Sequence, residues 1–419
     1  MMQEEFLCSD HIFLGGRIIA NEQLQREFPK WYNKWKMANG KKKLSDYCLL
    51  PDYSYGISAS LNAVYSVNFE KATAEFTCSF ETERNEGGMY FPPIRMGNIL
   101  TFTPLKEHRW AFYNLDTCKW TYKEIPSELI PREEMIIRFR VCVGKRILHV
   151  IENCNVVACM DASTGEISYY DCLNEIRQKD GTLPTFSAMV VYDESVLLFA
   201  NTGNNVYEID TKTMRVVKTH KIPMECNAIQ QAVVIRGTDW LCLLEQENHI
   251  SRVIKWNIMT GEAREVLDLS NCSKENHNVG PIGGFCNDFD GLYIILRQEK
   301  YFMKLDWRKN EATRIELHTE LELLERKNAY YNRCEYGNSF IVLAYNAYRN
   351  KFTVFLPYDF SIAEIDFEKG VFLNKRKWKV SGIEKLIRDS LKTQVDGVHM
   401  ENQFFGLKEF ADDLKAGKL

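Results

Sequence analysis

The fold is decided by a stretch at residues 156–170, which reads VVACMDASTGEISYY. Two short strand-like segments flank the polar sequence DASTGE. An Asp at the first position of a turn accepts hydrogen bonds from backbone N–H groups two or three residues further on, and a Gly within the turn tolerates positive φ. The stretch therefore predicts a β-hairpin in which Asp161 builds the turn and has a structural role.

The same pattern recurs along the chain. Each copy has a strand-like segment that ends in Asp or Asn, a short polar turn and a second strand-like segment. We call the acidic or amide residues the anchors; they are Asn68, Asn114, Asp161, Asp210, Asn257, Asp306 and Asp366. Consecutive anchors are 46, 47, 49, 47, 49 and 60 residues apart. Such regular spacing indicates a repeat architecture.

Two further strand-like segments precede most of the hairpins. Between Asp161 and Asp210, for example, they occupy residues 187–192 and 196–200. Four antiparallel strands in each period are typical of a β-propeller blade, whereas a β-sandwich does not need seven copies and a helical solenoid needs apolar stripes of period 3.6. We therefore predict an all-β fold: a seven-bladed β-propeller of four-stranded antiparallel blades, with short helical N- and C-terminal extensions.

The ends of the repeat series set the predicted domain boundaries. The propeller is expected to span residues 46–380, between a partly helical N-terminal extension at 1–45 and a helical tail at 381–419. Trp31 and Trp35 lie four residues apart in the N-terminal extension, so they share one face of a helix that we expect to pack on its own domain. The ring closes either through residues 46–61 or through strands near its C-terminal end, and both routes remove exposed sheet edges.

Two turn sequences resemble those of known propeller families. DASTGE at residues 161–166 and NIMTGE at 257–262 resemble the turns of quinoprotein-type repeats, and FYNLDTCKW at 112–120 is similar to part of a kelch repeat. These resemblances imply the architecture and leave the activity open. The Trp that follows the Thr-Gly pair in quinoprotein repeats is missing here, so a quinone is not expected and no cofactor is predicted.

Composition limits the classes of partner. The chain has 419 residues, a formal net charge of −4 and 13 cysteines. Its net charge offers no overall attraction for nucleic acid, and no segment approaches the roughly 20 apolar residues that insertion into a membrane requires. The first residues are acidic where a secretory signal is basic, and the cysteines lack paired spacing, which together predict free thiols and a cytoplasmic location.

Chemical motifs are sparse in this sequence. It contains no phosphate-binding Gly-rich loop, no His-Glu-x-x-His and no Gly-x-Ser-x-Gly, and no two of its histidines have metal-ligand spacing, so no metal site is predicted. In a propeller, however, loops of several blades meet at one end, so the site needs no linear motif. The predicted ligand-binding residues come from the loops of one end: Arg84, Glu86, His108, Arg109, Arg132, Asn204, Glu247, His249, His277, Arg297, Glu299, Tyr331 and Arg333.

Two functions are compatible with this set of residues. Guanidinium, carboxylate, amide and aromatic groups together suit a polar ligand such as a sugar or a peptide. The first hypothesis is a non-catalytic recognition or scaffold propeller that binds a protein partner or a glycan on one face. The alternative is a carbohydrate-active enzyme whose convergent Glu and His residues act as general acid and base at the mouth of the central channel. The missing catalytic motifs favour the first hypothesis and leave open whether the chain is an enzyme.

Overall fold

The fold was analysed in a computed structural model of the chain. It describes residues 12–39, 46–58, 63–81, 89–129, 137–151, 155–176, 184–201, 203–226, 229–235, 237–247, 250–270, 272, 282–287, 291–296, 299, 301–306, 309, 311–317, 341–346, 351–356 and 361–382.

The strands follow one another in antiparallel runs of four, which we call meanders 1 to 7. Meander 1 contains β1 (Ile12–Ala20), β2 (Tyr47–Ser58), β3 (Val64–Asn68) and β4 (Thr73–Cys78), and meander 2 contains β5 (Ile94–Met96), β6 (Ile99–Phe102), β7 (Arg109–Asn114) and β8 (Lys119–Glu124). Meander 3 contains β9 (Ile137–Val143), β10 (Arg146–Ile151), β11 (Val156–Asp161) and β12 (Ile167–Tyr170). Meander 4 contains β13 (Phe186–Tyr192), β14 (Ser195–Ala200), β15 (Asn205–Asp210) and β16 (Arg215–Lys221).

Meanders 5 to 7 continue the series with the same strand pairing. Meander 5 contains β17 (Ile229–Val234), β18 (Trp240–Glu247), β19 (Ile250–Asn257) and β20 (Ala263–Asp268). Meander 6 contains β21 (Ile282–Asn287), β22 (Gly291–Leu296), β23 (Tyr301–Asp306) and β24 (Ala312–Glu316). Meander 7 contains β25 (Ile341–Asn346), β26 (Lys351–Leu356), β27 (Ser361–Asp366) and β28 (Val371–Lys377). A short last strand, β29 (Lys379–Ser381), follows them.

Hydrogen bonding joins these strands into six sheets within the described part of the chain. Meanders 3 to 7 each form a separate four-stranded sheet. Meanders 1 and 2 share one nine-stranded sheet with β29, because β1 pairs in parallel with β5 over Gly16–Ile94 and Arg17–Arg95. The four-stranded antiparallel unit is thus confirmed, while the count of seven blades stays a prediction because the first two meanders are continuous.

Each anchor closes the hairpin between the third and fourth strands of its meander. The side-chain oxygen of Asp161 accepts hydrogen bonds from the backbone N–H of Ser163 at 2.8 Å and of Thr164 at 3.3 Å, and Gly165 has φ +70°. The other six anchors accept equivalent backbone bonds of 2.7–3.2 Å; they are Asn68, Asn114, Asp210, Asn257, Asp306 and Asp366. The predicted turn-building role of the anchors is confirmed.

The strand order gives every meander two distinct ends. We call the end that carries the anchors the anchor end. The opposite end, the loop end, carries the connection between the second and third strands and the connection from the fourth strand to the next meander. The predicted ligand-binding residues that the structure describes belong to connections of the loop end or to the strand residues next to them.

The apolar cores lie between consecutive meanders. Leu148 and Val157 of meander 3, for example, form one buried cluster with Leu198 and Ile209 of meander 4. Corresponding clusters join meanders 1 and 2, 2 and 3, 4 and 5, 5 and 6, and 6 and 7. Successive four-stranded sheets that bury their faces against each other are the arrangement of a β-propeller, and the predicted fold class is therefore confirmed.

The last strand joins the two ends of the series. β29 pairs in parallel with β4 of meander 1, and the backbone N–H of Lys379 donates to the Ala72 carbonyl at 2.9 Å. The Trp378 ring lies 6.0 Å from the Phe69 ring, measured between centroids. The outer edge of meander 1 is thereby covered by the C-terminal end, while β2 completes the same meander from its own side, so both predicted closure elements are used.

The N-terminal segment contributes a strand and two helices. β1 lies inside meander 1, so the first sheet takes in residues that precede the predicted boundary at 46. Helices α1 (Asn21–Glu27) and α2 (Pro29–Asn39) follow it, and their Leu24 and Trp35 are buried with Ile19 and Cys48. Trp35 thus packs on its own domain as predicted, whereas the side chain of Trp31 and the predicted tail helices at 382–391 and 406–414 lie outside the described residues, apart from Gly382.

Two general features of the described segments complete the fold. None of their helices is long and apolar enough to cross a membrane. Nine of the cysteines in these segments are free thiols: Cys48, Cys78, Cys118, Cys142, Cys159, Cys172, Cys226, Cys242 and Cys272.

A fully buried histidine lies between meanders 2 and 3. His149 of β10 stacks on the indole of Trp110, with ring centroids 4.6 Å apart, and is 0% exposed. Burial, reinforced by the charge of Arg140, lowers the pKa of His149 from 6.5 to about 3. The folded protein therefore holds this imidazole in its neutral form at neutral pH.

We expect core and anchor substitutions to differ in their cost. Ile209→Ala should lower the free energy of unfolding by about 2–5 kcal/mol because it opens a cavity between meanders 3 and 4. Asp161→Ala should cost only about 1 kcal/mol, since it removes turn hydrogen bonds at a half-exposed site. Urea denaturation measures both values, and an Asp161→Ala loss as large as that of Ile209→Ala would contradict the turn-building role.

His149 should make stability depend on pH. Between pH 6.5 and about 3 the unfolded chain binds a proton that the folded protein excludes, so this residue's contribution to the free energy of unfolding rises with pH by about 1.4 kcal/mol per pH unit and is lost as pH falls. Urea titrations of the wild type and His149→Phe in chloride buffers at several values across this window test the effect. The variant should lack that part of the slope, and identical slopes would contradict it.

Candidate binding surface at the loop end

Five of the thirteen predicted ligand-binding residues are described by the structure. His108 precedes β7 and Arg109 begins it, whereas Asn204 precedes β15 and Glu299 lies between β22 and β23. Glu247 is the last residue of β18, and its side chain is not among those that the structure describes. The other eight lie outside the described residues: Arg84, Glu86, Arg132, His249, His277, Arg297, Tyr331 and Arg333. Across the described set, no hydrogen bond or ion pair joins predicted residues of different meanders.

Arg109 is held firmly at the loop end of meander 2. Its guanidinium carbon lies 4.0 Å from the centroid of the Tyr122 ring, and its Nη2 donates to the Glu81 carbonyl. The Tyr122 hydroxyl in turn accepts a 2.8 Å hydrogen bond from the backbone N–H of Glu81. The strands β7 and β8 therefore present a guanidinium stacked on a half-buried aromatic ring, and both groups are fixed by the end of meander 1.

Next to this pair, two buried polar atoms make no hydrogen bond in the described part of the chain. They are the hydroxyl oxygen of Tyr90 and the Nδ1 of His108. Tyr90 is 1% exposed and stacks on Phe80 with ring centroids 4.4 Å apart. Burial raises the pKa of Tyr90, Glu107 adds to the rise, and Arg109 partly offsets it. The Tyr90 hydroxyl is therefore neutral and lies near the guanidinium of Arg109.

Meander 5 holds a second arginine at its loop end. Arg252 of β19 donates through Nε to Glu245 at 2.6 Å, through Nη1 to Glu265 at 3.3 Å and through Nη2 to the Glu225 carbonyl at 2.7 Å. Burial alone would lower the pKa of Arg252, but its bonds to Glu245 and Glu265 raise it overall. Because Glu245 is fully buried, this ion pair and its three bonds fix the end of the sheet.

Meander 6 has a third arginine at the same end, on its fourth strand. Arg314 of β24 lies with its guanidinium carbon 3.6 Å from the centroid of the Tyr301 ring, and its Nε donates to Glu316 at 2.5 Å. The hydroxyl of Tyr301 lies 3.5 Å from the Cys272 sulfur, within hydrogen-bond distance. The hydrogen bond to Glu316 raises the pKa of the exposed Arg314, which keeps its positive charge at the surface.

These three pairs occupy equivalent repeat positions. In each meander the first member stands five residues before the anchor and the second stands eight residues after it. We call them the arginine pairs: Arg109–Tyr122 around Asn114, Arg252–Glu265 around Asn257, and Tyr301–Arg314 around Asp306. The anchor turn sets the register of the third and fourth strands, so the same two positions meet at the loop end of each hairpin.

The arginine pairs contain functional candidates that the sequence prediction missed. Tyr122, Arg252, Tyr301 and Arg314 lie on strands, whereas the prediction took residues from loops. Counting from the anchors would have found them, since a strand residue at a fixed distance from the turn returns to the same end in every repeat. Of the predicted residues, Arg109 belongs to a pair, and Asn204 instead donates to the Ile222 carbonyl at 2.7 Å, a local structural contact.

The loop end offers binding groups more readily than acid–base groups. At the loop end, hydrogen bonds from Ser270 lower the pKa of Asp268. At the anchor end, burial of Asp161 opposes the shift, but hydrogen bonds from Ser163 and Lys145 lower its pKa overall, and bonds from Thr213 lower the pKa of Asp210. Elsewhere in the described part of the chain, no carboxylate has a resolved rise in pKa of the kind a general acid needs. No group of three metal-ligating side chains occurs within the same set of residues.

Comparisons with family models and with curated proteins identify no family for this chain. No family model matches the chain, and no curated protein matches it. Among solved structures, it is similar to a computationally designed protein, Ika8, at 12% identity over 79% of this chain and 87% of that one, with a TM-score of 0.48. It is also similar to Hsv2 of Kluyveromyces lactis, at 11% identity over 78% of this chain and 96% of that one, with a TM-score of 0.45. A putative 6-phosphogluconolactonase of Bacteroides fragilis is similar at 11% identity over 76% of this chain and 92% of that one, with a TM-score of 0.47. Scores below 0.5 add nothing to the fold assignment, which follows from the strand pairing and the shared cores.

We expect the same substitution to change stability in opposite directions at two tyrosines. Tyr90→Phe removes a buried hydroxyl that has no hydrogen bond, so it should raise the free energy of unfolding by up to about 1 kcal/mol. Tyr192→Phe removes a 2.7 Å hydrogen bond to Asp239 at the anchor end and should lower it by about 1–3 kcal/mol. Urea denaturation distinguishes the two, and a loss in Tyr90→Phe as large as that in Tyr192→Phe would show that the Tyr90 hydroxyl is paired.

Proposed function

We propose that this chain is a non-catalytic recognition propeller that binds a protein partner or a glycan through its loop end. The observation that supports this function is the set of arginine pairs, which repeats one arrangement on meanders 2, 5 and 6. Two of the pairs stack a guanidinium on a tyrosine ring. Arg and Tyr are the residue types that most often dominate binding energy at interfaces, especially where neighbouring structure holds their rotamers.

The rigidity of these groups favours binding. Arg109 and Tyr122 are both tied to Glu81, so little side-chain entropy remains to be lost when a partner covers them. Arg314 remains exposed, and its planar guanidinium still has donors free of Glu316 to meet a carbonyl or carboxylate of the partner. A protein surface supplies both acceptors, as does an acidic glycan.

The carbohydrate-active enzyme stays an alternative prediction. It requires two acid–base groups on facing elements, one of them with a raised pKa. The described loop end supports binding by Arg109, Arg252 and Arg314 instead. Loop residues on which the enzyme hypothesis depends, such as Glu86 and His277, lie outside the described residues.

The test compares charge reversals at the two ends of the same fold. Arg314→Glu should weaken a partner's binding at least about tenfold, because it removes a guanidinium and adds a repelling charge. Arg215→Glu makes the same charge change at an exposed position of the anchor end and serves as the control. Immobilised wild type and both variants are used to capture lysate proteins and to probe a glycan array, and each specific ligand is then titrated.

The outcomes separate the hypotheses. A ligand that the wild type and Arg215→Glu bind equally, and that Arg314→Glu binds more weakly, supports recognition through the loop end and shows whether it is a protein or a glycan. A specific ligand whose binding is unchanged by Arg314→Glu and by Arg109→Gln contradicts the proposal. Turnover of a glycan hit, measured as released sugar, would establish the enzyme instead.

A further inference from the structure

A second candidate site lies away from the loop-end surface, in the interface between meanders 2 and 3. Arg140 of β9 extends from meander 3 toward meander 2, where its Nη1 donates to the Pro92 carbonyl and its guanidinium carbon lies 5.3 Å from the centroid of the Phe91 ring. Neither partner is charged. In the described part of the chain, no carboxylate forms an ion pair with Arg140, although burial lowers its pKa.

A half-buried guanidinium without a counter-ion is energetically unfavourable. Loss of hydration is compensated only when a negative charge or several hydrogen bonds replace the water. Several other strand arginines have more acceptors: Arg146 bonds twice to Thr211, Arg252 pairs with Glu245, and Arg17 lies 3.5 Å from Glu27. Arg140 has fewer acceptors among the described residues than these three.

His149 lies beside Arg140 on the same face of meander 3. The two residues are direct cross-strand partners between β10 and β9, so their side chains project to the same side of the sheet. Both ring nitrogens of His149 are buried and make no hydrogen bond with any described residue. A neutral imidazole carries one N–H donor and one acceptor nitrogen, so this residue has a donor without an acceptor in the interface.

Thr103 brings a third unsatisfied group to the interface from meander 2. It is 0% exposed, and its hydroxyl makes no hydrogen bond within the described segments. Strand alternation continued from the Thr101–Phe112 pair places Thr103 on the same face as Trp110, which is the residue that stacks on His149. Its carbonyl accepts a 2.9 Å bond from the N–H of Phe91, the residue whose ring lies under Arg140.

Contacts and strand pairing place the three residues in one interface. Trp110 stacks on His149, and His149 is the cross-strand partner of Arg140. Phe91, whose ring lies under Arg140, donates through its backbone N–H to the Thr103 carbonyl. Each of the three residues offers a hydrogen-bond donor: guanidinium N–H, imidazole N–H and hydroxyl O–H. Positive charge and neighbouring donors match a ligand that has several acceptor oxygens and a negative charge.

We infer that Arg140, His149 and Thr103 form a binding site for a small oxyanion, carboxylate or phosphate-like, between meanders 2 and 3. Arg140 supplies the charge and the remaining N–H groups, and the buried His149 and Thr103 supply directed hydrogen bonds. Arg140 is half-exposed and lies on β9, an edge strand of its sheet, so the ligand reaches the site from that edge. Inorganic phosphate, sulfate and organic carboxylates share this chemistry and differ in size.

The test measures thermal stability of the full chain in sulfate, phosphate and acetate against chloride at constant ionic strength. A ligand that binds the folded state raises the melting temperature in proportion to the logarithm of its concentration. We expect such a rise in the wild type for at least one of the three anions, with phosphate and sulfate together marking an inorganic oxyanion and acetate alone a carboxylate. Calorimetric titration then gives the dissociation constant.

Matched variants separate specific binding from general salt effects. Arg140→Met should weaken anion binding at least about tenfold, since a charge-assisted hydrogen bond is lost. Arg146→Met removes the same charge from the same sheet and should retain the anion effect, although it loses the bonds to Thr211. Thr103→Val preserves side-chain shape and should reduce affinity by a smaller factor, which provides a second test if Arg140→Met fails to fold.

A spectroscopic measurement locates the anion. The ring ¹⁵N resonances of His149, assigned with His149→Phe, should move on addition of the binding anion in the wild type and remain fixed in Arg140→Met. Equal anion-dependent stabilisation of Arg140→Met and Arg146→Met, or no difference between any of the three anions and chloride, would overturn the proposal and leave buried water as the partner of these groups. Neither result affects binding at the loop end, which is tested by different variants.

Discussion

The architecture depends on one short pairing, the parallel contact of β29 with β4. Consecutive meanders from 1 to 7 bury their faces against each other, so an open series would leave an apolar face and a strand edge exposed at both ends. β29 follows meander 7 directly and binds to the outer strand of meander 1, where the N–H of Lys379 reaches the Ala72 carbonyl. The ring packing of Trp378 on Phe69 secures the same junction. Residues at the two ends of the repeat series therefore stabilise one sheet.

Within the ring, the anchor end and the loop end of the meanders have different roles. The anchor end is formed by local hydrogen bonds between an Asp or Asn side chain and the next few backbone N–H groups, which fix the register of the third and fourth strands. In that register, the residues five positions before and eight positions after each anchor lie at the loop end. The arginine pairs are thus a consequence of the turns at the opposite end, and a binding surface is positioned by elements that never touch the ligand.

The interface between meanders 2 and 3 contains polar groups as well as apolar side chains. Leu148, Leu198 and Ile209 fill the next interface, whereas here His149 and Thr103 introduce buried polar atoms that make no hydrogen bond among the described residues. Arg140 beside them donates to the Pro92 carbonyl and has no carboxylate partner in the same part of the chain. Such groups weaken a core unless a ligand or water satisfies them. Their retention beside Trp110 is the physical reason to look for a ligand there, apart from the exposed surface where recognition is proposed.

The sequence by itself determined the repeat, the turns and the four-stranded unit, because each depends on residues that are close along the chain: the anchors accept bonds within three residues, and the hairpin strands alternate with period two. Strand β1 was not predicted, because its partner strand β2 follows it in the chain only after two helices. Of the predicted loop candidates, Asn204 makes a local contact, whereas Arg109 belongs to an arginine pair; the predicted residues outside the described segments stay predictions. Only the tertiary structure decided that β29 closes on β4 and that His149 of one meander stacks on Trp110 of another. Those relations join residues that are far apart along the chain, which no local sequence pattern encodes.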